Sequence, residues 1–202
     1  MQVPVNAEIF LKFAMLARNN SPDDERKYLR SVLIEVANGS AFIFATDSKF
    51  AAVQRLGPMS GEFKACITVD DTMTNQAEAE RHYSSSVIVT SFMVSTSLGF
   101  VYPGNPFVAP PQGVFNKLLT WRDLFKPKGN GAGGSMFLDA DRMKFLIDTS
   151  PSGCVLFPPK IDASAPIIVK DSLDSNWLGV FIGQSEASPA LYGAQPEWLS
   201  NV

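Results

Sequence analysis

The 202-residue chain contains one histidine, His82, and two cysteines, Cys66 and Cys154. So thin a supply of soft ligands and nucleophiles argues against a zinc site or a Cys–His catalytic pair, since each needs several such side chains converging on one atom. His82 stands in the polar run Arg81-His82-Tyr83-Ser84-Ser85-Ser86, which suits an ordinary surface residue. Both cysteines lie in apolar runs, Ala65-Cys66-Ile67 and Cys154-Val155-Leu156. There a thiol packs as a small hydrophobe, and the reading is reduced cysteines in a cytoplasmic compartment. No apolar run approaches the roughly 18 residues that span a bilayer, and the N-terminus lacks the basic start and apolar stretch of a signal peptide. No membrane association is expected. Positive charge is short as well: the formal net charge is −3, so any contact with nucleic acid must come from local basic patches.

What the chain has is apolar content, 46% of its residues, enough to bury a substantial core without staples. From Asn6, a candidate N-cap, Ile9, Phe10, Phe13, Leu16 and Ala17 recur at helical spacing. Asn20-Ser21-Pro22-Asp23-Asp24 ends that helix. Leu29 to Val36 and Ala41 to Thr46 are β-rich runs joined at Asn38-Gly39, a strong hairpin signal, and this first unit closes near Gly57. A second pass opens with a strand at Phe63 to Val69 and runs into a weak helix from Asp70-Asp71 to Glu80, whose paired acids read as capping and dipole-complementing groups rather than a catalytic pair. Strand-like runs follow at Val87 to Thr90, Phe92 to Thr96 and Phe100 to Tyr102, then a proline-rich crossing from Pro106 to Pro111. Gly129 to Gly134 lacks the Gly-Lys-Ser/Thr ending of a phosphate loop and reads as a flexible linker. A third pass has a strand at Ser135 to Leu138, a helix capped by Asp139 with Met143, Leu146 and Ile147 on one face, and strands at Cys154 to Phe157, Pro166 to Lys170 and Trp177 to Ile182. The repeat is strand, helix, then two or three strands, with a period of about 60 residues.

The segment Ala45-Thr46-Asp47-Ser48-Lys49-Phe50-Ala51-Ala52-Val53 resembles the strand end Ala-Thr-Asp-Gly-His-Arg-Leu-Ala-Val of bacterial DNA sliding clamps, the ring-shaped processivity subunits of replicative polymerases. It keeps Ala-Thr-Asp and the final Ala-Val and alters the middle. The order and spacing of the three units carry the resemblance across nearly the whole chain. It implies a clamp-like α+β fold, with helices on one face of antiparallel sheets. By the same likeness, residues 1–122 form a complete domain of two units, 123–134 a basic and Gly-rich linker, 135–184 a half-domain, and 185–202 a C-terminal tail. The shortened form suggests a phage protein.

The resemblance implies two kinds of site and no catalysis, cofactor or metal. Clamps meet DNA phosphates through basic helices by electrostatics rather than base reading; the matching residues are Lys12 and Arg18 on the first helix and Arg142 and Lys144 on the third. The family's peptide groove maps to Thr46, Ser48, Lys49, Phe50 and Ala51, then Pro111, Lys117 and Leu118, then Leu178, Gly179, Val180, Phe181 and Ile182. The alternative, that these residues pack the junction between the two parts of the chain, stays open. Two functions compete: a processivity clamp that encircles double-stranded DNA as a homo-oligomer, and an interaction module of the same fold that binds a DNA polymerase or other replication protein. The acidic second helix favours the interaction module. In the tail, Gln195-Pro196-Glu197-Trp198-Leu199 loosely resembles the Gln-Leu-Ser/Asp-Leu-Phe peptides that clamps bind, with Trp198 and Leu199 as the apolar anchors.

Overall fold

The computed structural model describes residues 1–18, 29–47, 50–80, 86–90, 93–96, 101–103, 121, 150, 152–157 and 167–181. A short strand that the periodicity of its neighbours conceals comes first: β1 (Val3–Asn6) buries Val3 and Val5 and turns Pro4 and Asn6 outward. Among the described residues it forms one edge of its sheet, where a proline without an N–H is tolerated. Asn6 ends the strand and caps the helix, its Oδ1 accepting from the N–H groups of Glu8 and Ile9 at 2.9 and 3.2 Å. Helix α1 (Ala7–Arg18) then buries Phe10, Phe13, Ala14, Leu16 and Ala17 along one stripe, as the spacing requires.

Strands β2 (Ser31–Ala37) and β3 (Ser40–Thr46) form the expected hairpin, with Ala37 opposite Ser40 across the two-residue turn. Asn38 and Gly39 have φ of +52° and +75°, the left-handed conformation at both positions that matches the twist of a hairpin. The third strand is a surprise of punctuation. The Ala-Thr-Asp segment does not run straight on; the chain turns at Asp47, and β4 (Phe50–Pro58) returns antiparallel to β3. Thr46 Oγ1 donates to the Phe50 carbonyl at 2.8 Å, Asp47 N–H donates to the same oxygen at 3.0 Å, and Phe50 N–H donates to Asp47 Oδ1 at 2.6 Å. These two polar side chains therefore fasten the turn, a local bonding pattern for which Thr and Asp are well suited.

The second unit repeats the order: β5 (Phe63–Thr68), α2 (Asp71–Glu80), β6 (Ser86–Val89), β7 (Met93–Thr96) and β8 (Val101–Pro103). Asp70 caps α2 through a 2.7 Å bond from the Met73 N–H. Of the third unit, β9 (Cys154–Phe157), β10 (Ile167–Asp171) and β11 (Trp177–Phe181) are described; the expected strand and helix between 135 and 149, the glycine run and the tail lie outside the described residues, as does His82.

The strands build two antiparallel sheets. One has four strands in the order β1-β6-β7-β8, the other seven in the order β5-β2-β3-β4-β11-β10-β9. The units thus interlock: β1 crosses to β6, β5 crosses to β2, and β4 of the first unit pairs with β11 of the third. Between the two sheets and α1 lies the main core, which draws Val3, Val5, Phe10, Phe13, Leu16, Ile34, Ile43, Phe50, Ile67, Val89, Val94, Val169 and Trp177 into one cluster. Cys66 is half-buried on β5; burial pushes its thiol up, against a smaller downward pull from a hydrogen bond with Ser31. Among the described residues no helix is long and apolar enough to cross a membrane.

Candidate functional site

Strand alternation sorts the residues of the predicted groove onto two faces. At the β4–β11 seam Phe50 lies opposite Phe181, Ala51 opposite Val180, Ala52 opposite Gly179 and Val53 opposite Leu178. Phe50 and Phe181 turn into the main core, their ring centroids 5.1 Å apart. The Cβ position of Gly179 faces the same way, against Phe50 and Trp177. Ala51, Val180 and Leu178 point to the opposite face, because successive side chains on a strand alternate. Consecutive residues of one strand therefore do not line one groove. Thr46 is buried and tied to its own turn. Ser48, Lys49, Pro111, Lys117, Leu118 and Ile182 lie outside the described residues.

The face away from α1 carries a second apolar cluster: Leu29, Leu33, Phe44, Ala51, Val53, Trp121 and Val180 are buried, and Phe42, Ile168 and Leu178 are partly buried against them. Reading every second residue outward from Ala51 and Val180 finds Val53 and Leu178; Phe42, Phe44 and Ile168 follow from the same period on the neighbouring strands. Trp121 gave no such signal, standing alone after Leu118-Leu119-Thr120. It lies over β3, with ring centroids 5.7 Å from Phe42 and 5.9 Å from Phe44, nearly parallel to the latter at 21°.

A buried carboxylate lies beside this cluster. Glu35 is 3% exposed, and its carboxylate accepts from Trp121 Nε1–H at 3.0 Å through Oε2 and pairs with Lys64 Nζ at 3.1 Å through Oε1. A buried carboxylate needs such pairing and hydrogen bonds to offset its lost hydration. Glu35 holds Trp121 in place over Phe42 and Phe44. The seam is also tied beyond its ladder: Gln54 Nε2 donates to Asp174 Oδ2 at 3.2 Å, and Arg55 Nε donates to Asn176 Oδ1 at 2.9 Å. Asp171 organises the end of the third unit's sheet. It accepts from the Ser150 hydroxyl and from the backbone N–H groups of Ser152, Leu173 and Asp174. Burial pushes this carboxyl up, but the Ser150 bond and the three backbone bonds together outweigh it and bring it to about 2.

The predicted DNA-binding residues that are described are both engaged with acids. Lys12 Nζ lies 3.2 Å from Glu8, one turn earlier on α1. Arg18 Nε lies 3.0 Å from Asp71 at the start of α2, and its Nη1 donates to Thr74 Oγ1 at 3.2 Å. Arg142 and Lys144 lie outside the described residues.

No protein-family model and no curated protein matches the chain in sequence. Solved structures do match its fold. The DNA polymerase III beta subunit of Thermotoga maritima superposes with a TM-score of 0.62 at 13% identity, covering 97% of this chain and 68% of that one. The sliding clamp of Pseudomonas aeruginosa gives 0.59 at 10% identity, over 91% of this chain and 66% of its own. That of Bartonella birtlesii, bound to griselimycin, gives 0.56 at 13% identity, over 90% and 65%. The chain thus spans about two thirds of the length of the solved structures it matches. Likeness of backbone over nearly the whole chain, at identities too low to carry side chains across, establishes that the fold is the α+β fold of bacterial DNA sliding clamps.

Proposed function

We propose that this protein is a non-enzymatic accessory factor of DNA replication that works by holding a short segment of a replication protein on the outer face of its seven-stranded sheet. The observation that carries this reading is the apolar cluster across β3, β4, β11 and β10, in which Phe42, Leu178 and Ile168 are only partly buried beside the buried Ala51, Val53 and Val180. Short peptides gain affinity chiefly from a few buried apolar anchors, and the partly exposed Phe42, Leu178 and Ile168, drawn from two units, offer apolar contacts for them. The alternative, a ring that encircles duplex DNA, gains support from the fold and from the sheet edges. Among the described residues β8 ends one sheet and β5 and β9 the other, and such edges can pair with a second copy. It loses support on α1, whose two cations each face a carboxylate.

Fluorescence anisotropy with a labelled peptide of the Gln-Leu-Ser-Leu-Phe type tests the first reading: saturable binding is expected, lost in Leu178→Glu with the fold retained. Peptide binding that Leu178→Glu leaves unchanged refutes it. Mass measurement in solution with and without primed circular DNA tests the second, which requires an oligomer retained on the circle.

A further inference from the structure

We propose that the junction of α1 and α2 is a binding site for a phosphate-type oxyanion, occupied in the free protein by the carboxylate of Asp71. Three elements meet there: the last residue of α1, the residue before β2, and the first turn of α2. Arg18 Nε and Arg30 Nη2 both reach the same oxygen, Asp71 Oδ1, at 3.0 and 3.4 Å. Two guanidinium groups on one carboxylate leave one positive charge uncompensated within this group.

The geometry of Arg30 shows what is missing. Its Nε–H and Nη2–H lie along one edge of the guanidinium and form a fork that fits two oxygens of a carboxylate or phosphate. Nη2 has a long bond to Asp71; Nε is buried and has no acceptor. A buried donor without a partner costs about 1–3 kcal/mol, and here the vacant half of the fork lies on the edge that already faces Asp71. The Arg30 side chain is 12% exposed, whereas that of Asp71 is 68% exposed. The anion in place is therefore the solvent-facing member, and the cation is the enclosed one. Arg18 adds a second set of donors, and Thr74 Oγ1, already bonded to Arg18 Nη1, stands beside it.

A tetrahedral oxyanion offers more oxygens than Asp71 presents to the two guanidinium groups. One oxygen pair fills the Arg30 fork and a third meets Arg18, while Asp71 swings to solvent. Asp71 is then an internal competitor, and removing its charge opens the site. This inference stands apart from peptide binding, since α1 packs on the opposite face of the sheet from the second apolar cluster.

The test uses the full chain at low salt, with inorganic phosphate in calorimetry and thermal melts, and a labelled duplex oligonucleotide in anisotropy. Asp71→Asn is expected to bind tighter than the parent by about fivefold, the factor for removing a like charge at contact distance in a water-like dielectric. Arg30→Met should abolish the gain. Arg18→Gln, at a more exposed position, weakens binding without threatening the fold and reduces the salt dependence for DNA by about one counterion. Phosphate and DNA both responding identifies a phosphodiester as the source; phosphate alone responding identifies the free ion. If folded Asp71→Asn binds neither probe, or binds no tighter than the parent, the inference is overturned. It is likewise overturned if Arg18→Gln leaves binding unchanged.

Discussion

Replacing Gly179 by alanine puts a methyl group where two aromatic rings already stand. An added Cβ would lie 2.7 Å from Phe50 Cζ, 2.8 Å from Trp177 Cη2 and 3.0 Å from Phe50 Cε2, well inside the 3.5–4.0 Å at which carbon atoms attract. Neither ring has room to retreat: Phe50 is 1% exposed and Trp177 fully buried, and Phe50 already leans on Phe181. Overpacking of this kind costs about 1–3 kcal/mol. The restricted unfolded chain returns about 0.4–1 kcal/mol when glycine becomes alanine, leaving a net loss of about 1–2 kcal/mol. For a chain of this size that is a fall in Tm of about 2–8 °C. Urea and thermal unfolding of the parent, Gly179→Ala, Phe50→Leu and the double variant measure it. Leucine lacks the ring atoms nearest the new methyl, so the double variant should be more stable than the sum of the singles predicts by about 1 kcal/mol. Additive losses, or a Gly179→Ala protein as stable as the parent, would refute the claim that ring contact dictates glycine here.

Three further outcomes are expected. Asp171 has its carboxyl held at about 2 against an ordinary 3.8, so the stability it contributes is fully present above about pH 4 and is lost as pH falls from 4 towards 2, at most about 2 kcal/mol; an acid titration of Asp171→Asn should lack that component. Gly39→Ala meets open space but keeps a φ of +75°, so it should cost about 1–2 kcal/mol from backbone strain alone, read as a lower urea midpoint with unchanged slope. Glu35→Ala leaves the Trp121 indole N–H and the Lys64 ammonium without their shared acceptor, costing about 1–3 kcal/mol, and should shift the tryptophan emission; Glu35→Gln, which keeps an acceptor, should recover part of the loss.

The legible parts of this fold are those set by short-range chemistry. Asn38-Gly39 announces its hairpin because few other pairs tolerate two left-handed residues, and Asn6 and Asp70 announce helix starts because their side chains replace missing backbone acceptors. Strand β1 was hidden because four residues with a proline among them carry too little periodicity; only its pairing with β6 defines it. The turn at Asp47 looks in sequence like a continuing strand because its fastening bonds come from Thr46 and Asp47, residues equally at home in a strand end. At the site, residues adjacent in sequence, such as Phe50 and Ala51, are divided between two faces by strand alternation. Trp121 could not have been found from local pattern at all, since what holds it is Glu35 across the sheet. Of the ion pairs on α1, Glu8–Lys12 has the i,i+4 spacing that sequence shows, whereas Arg18 looks available in sequence until the fold brings Asp71 to it.

The seam between β4 and β11 sets a timetable for synthesis. Gln54 and its partner Asp174 are 120 residues apart, an interval that takes roughly 6–24 s at a ribosome adding 5–20 residues per second. Throughout that wait β4 is the last strand of an incomplete sheet, its outer backbone groups unsatisfied and ready to template any extended segment nearby. A β11 from a second copy would complete the same ladder, so this interval is the window in which strand exchange between copies competes with closure of the chain upon itself.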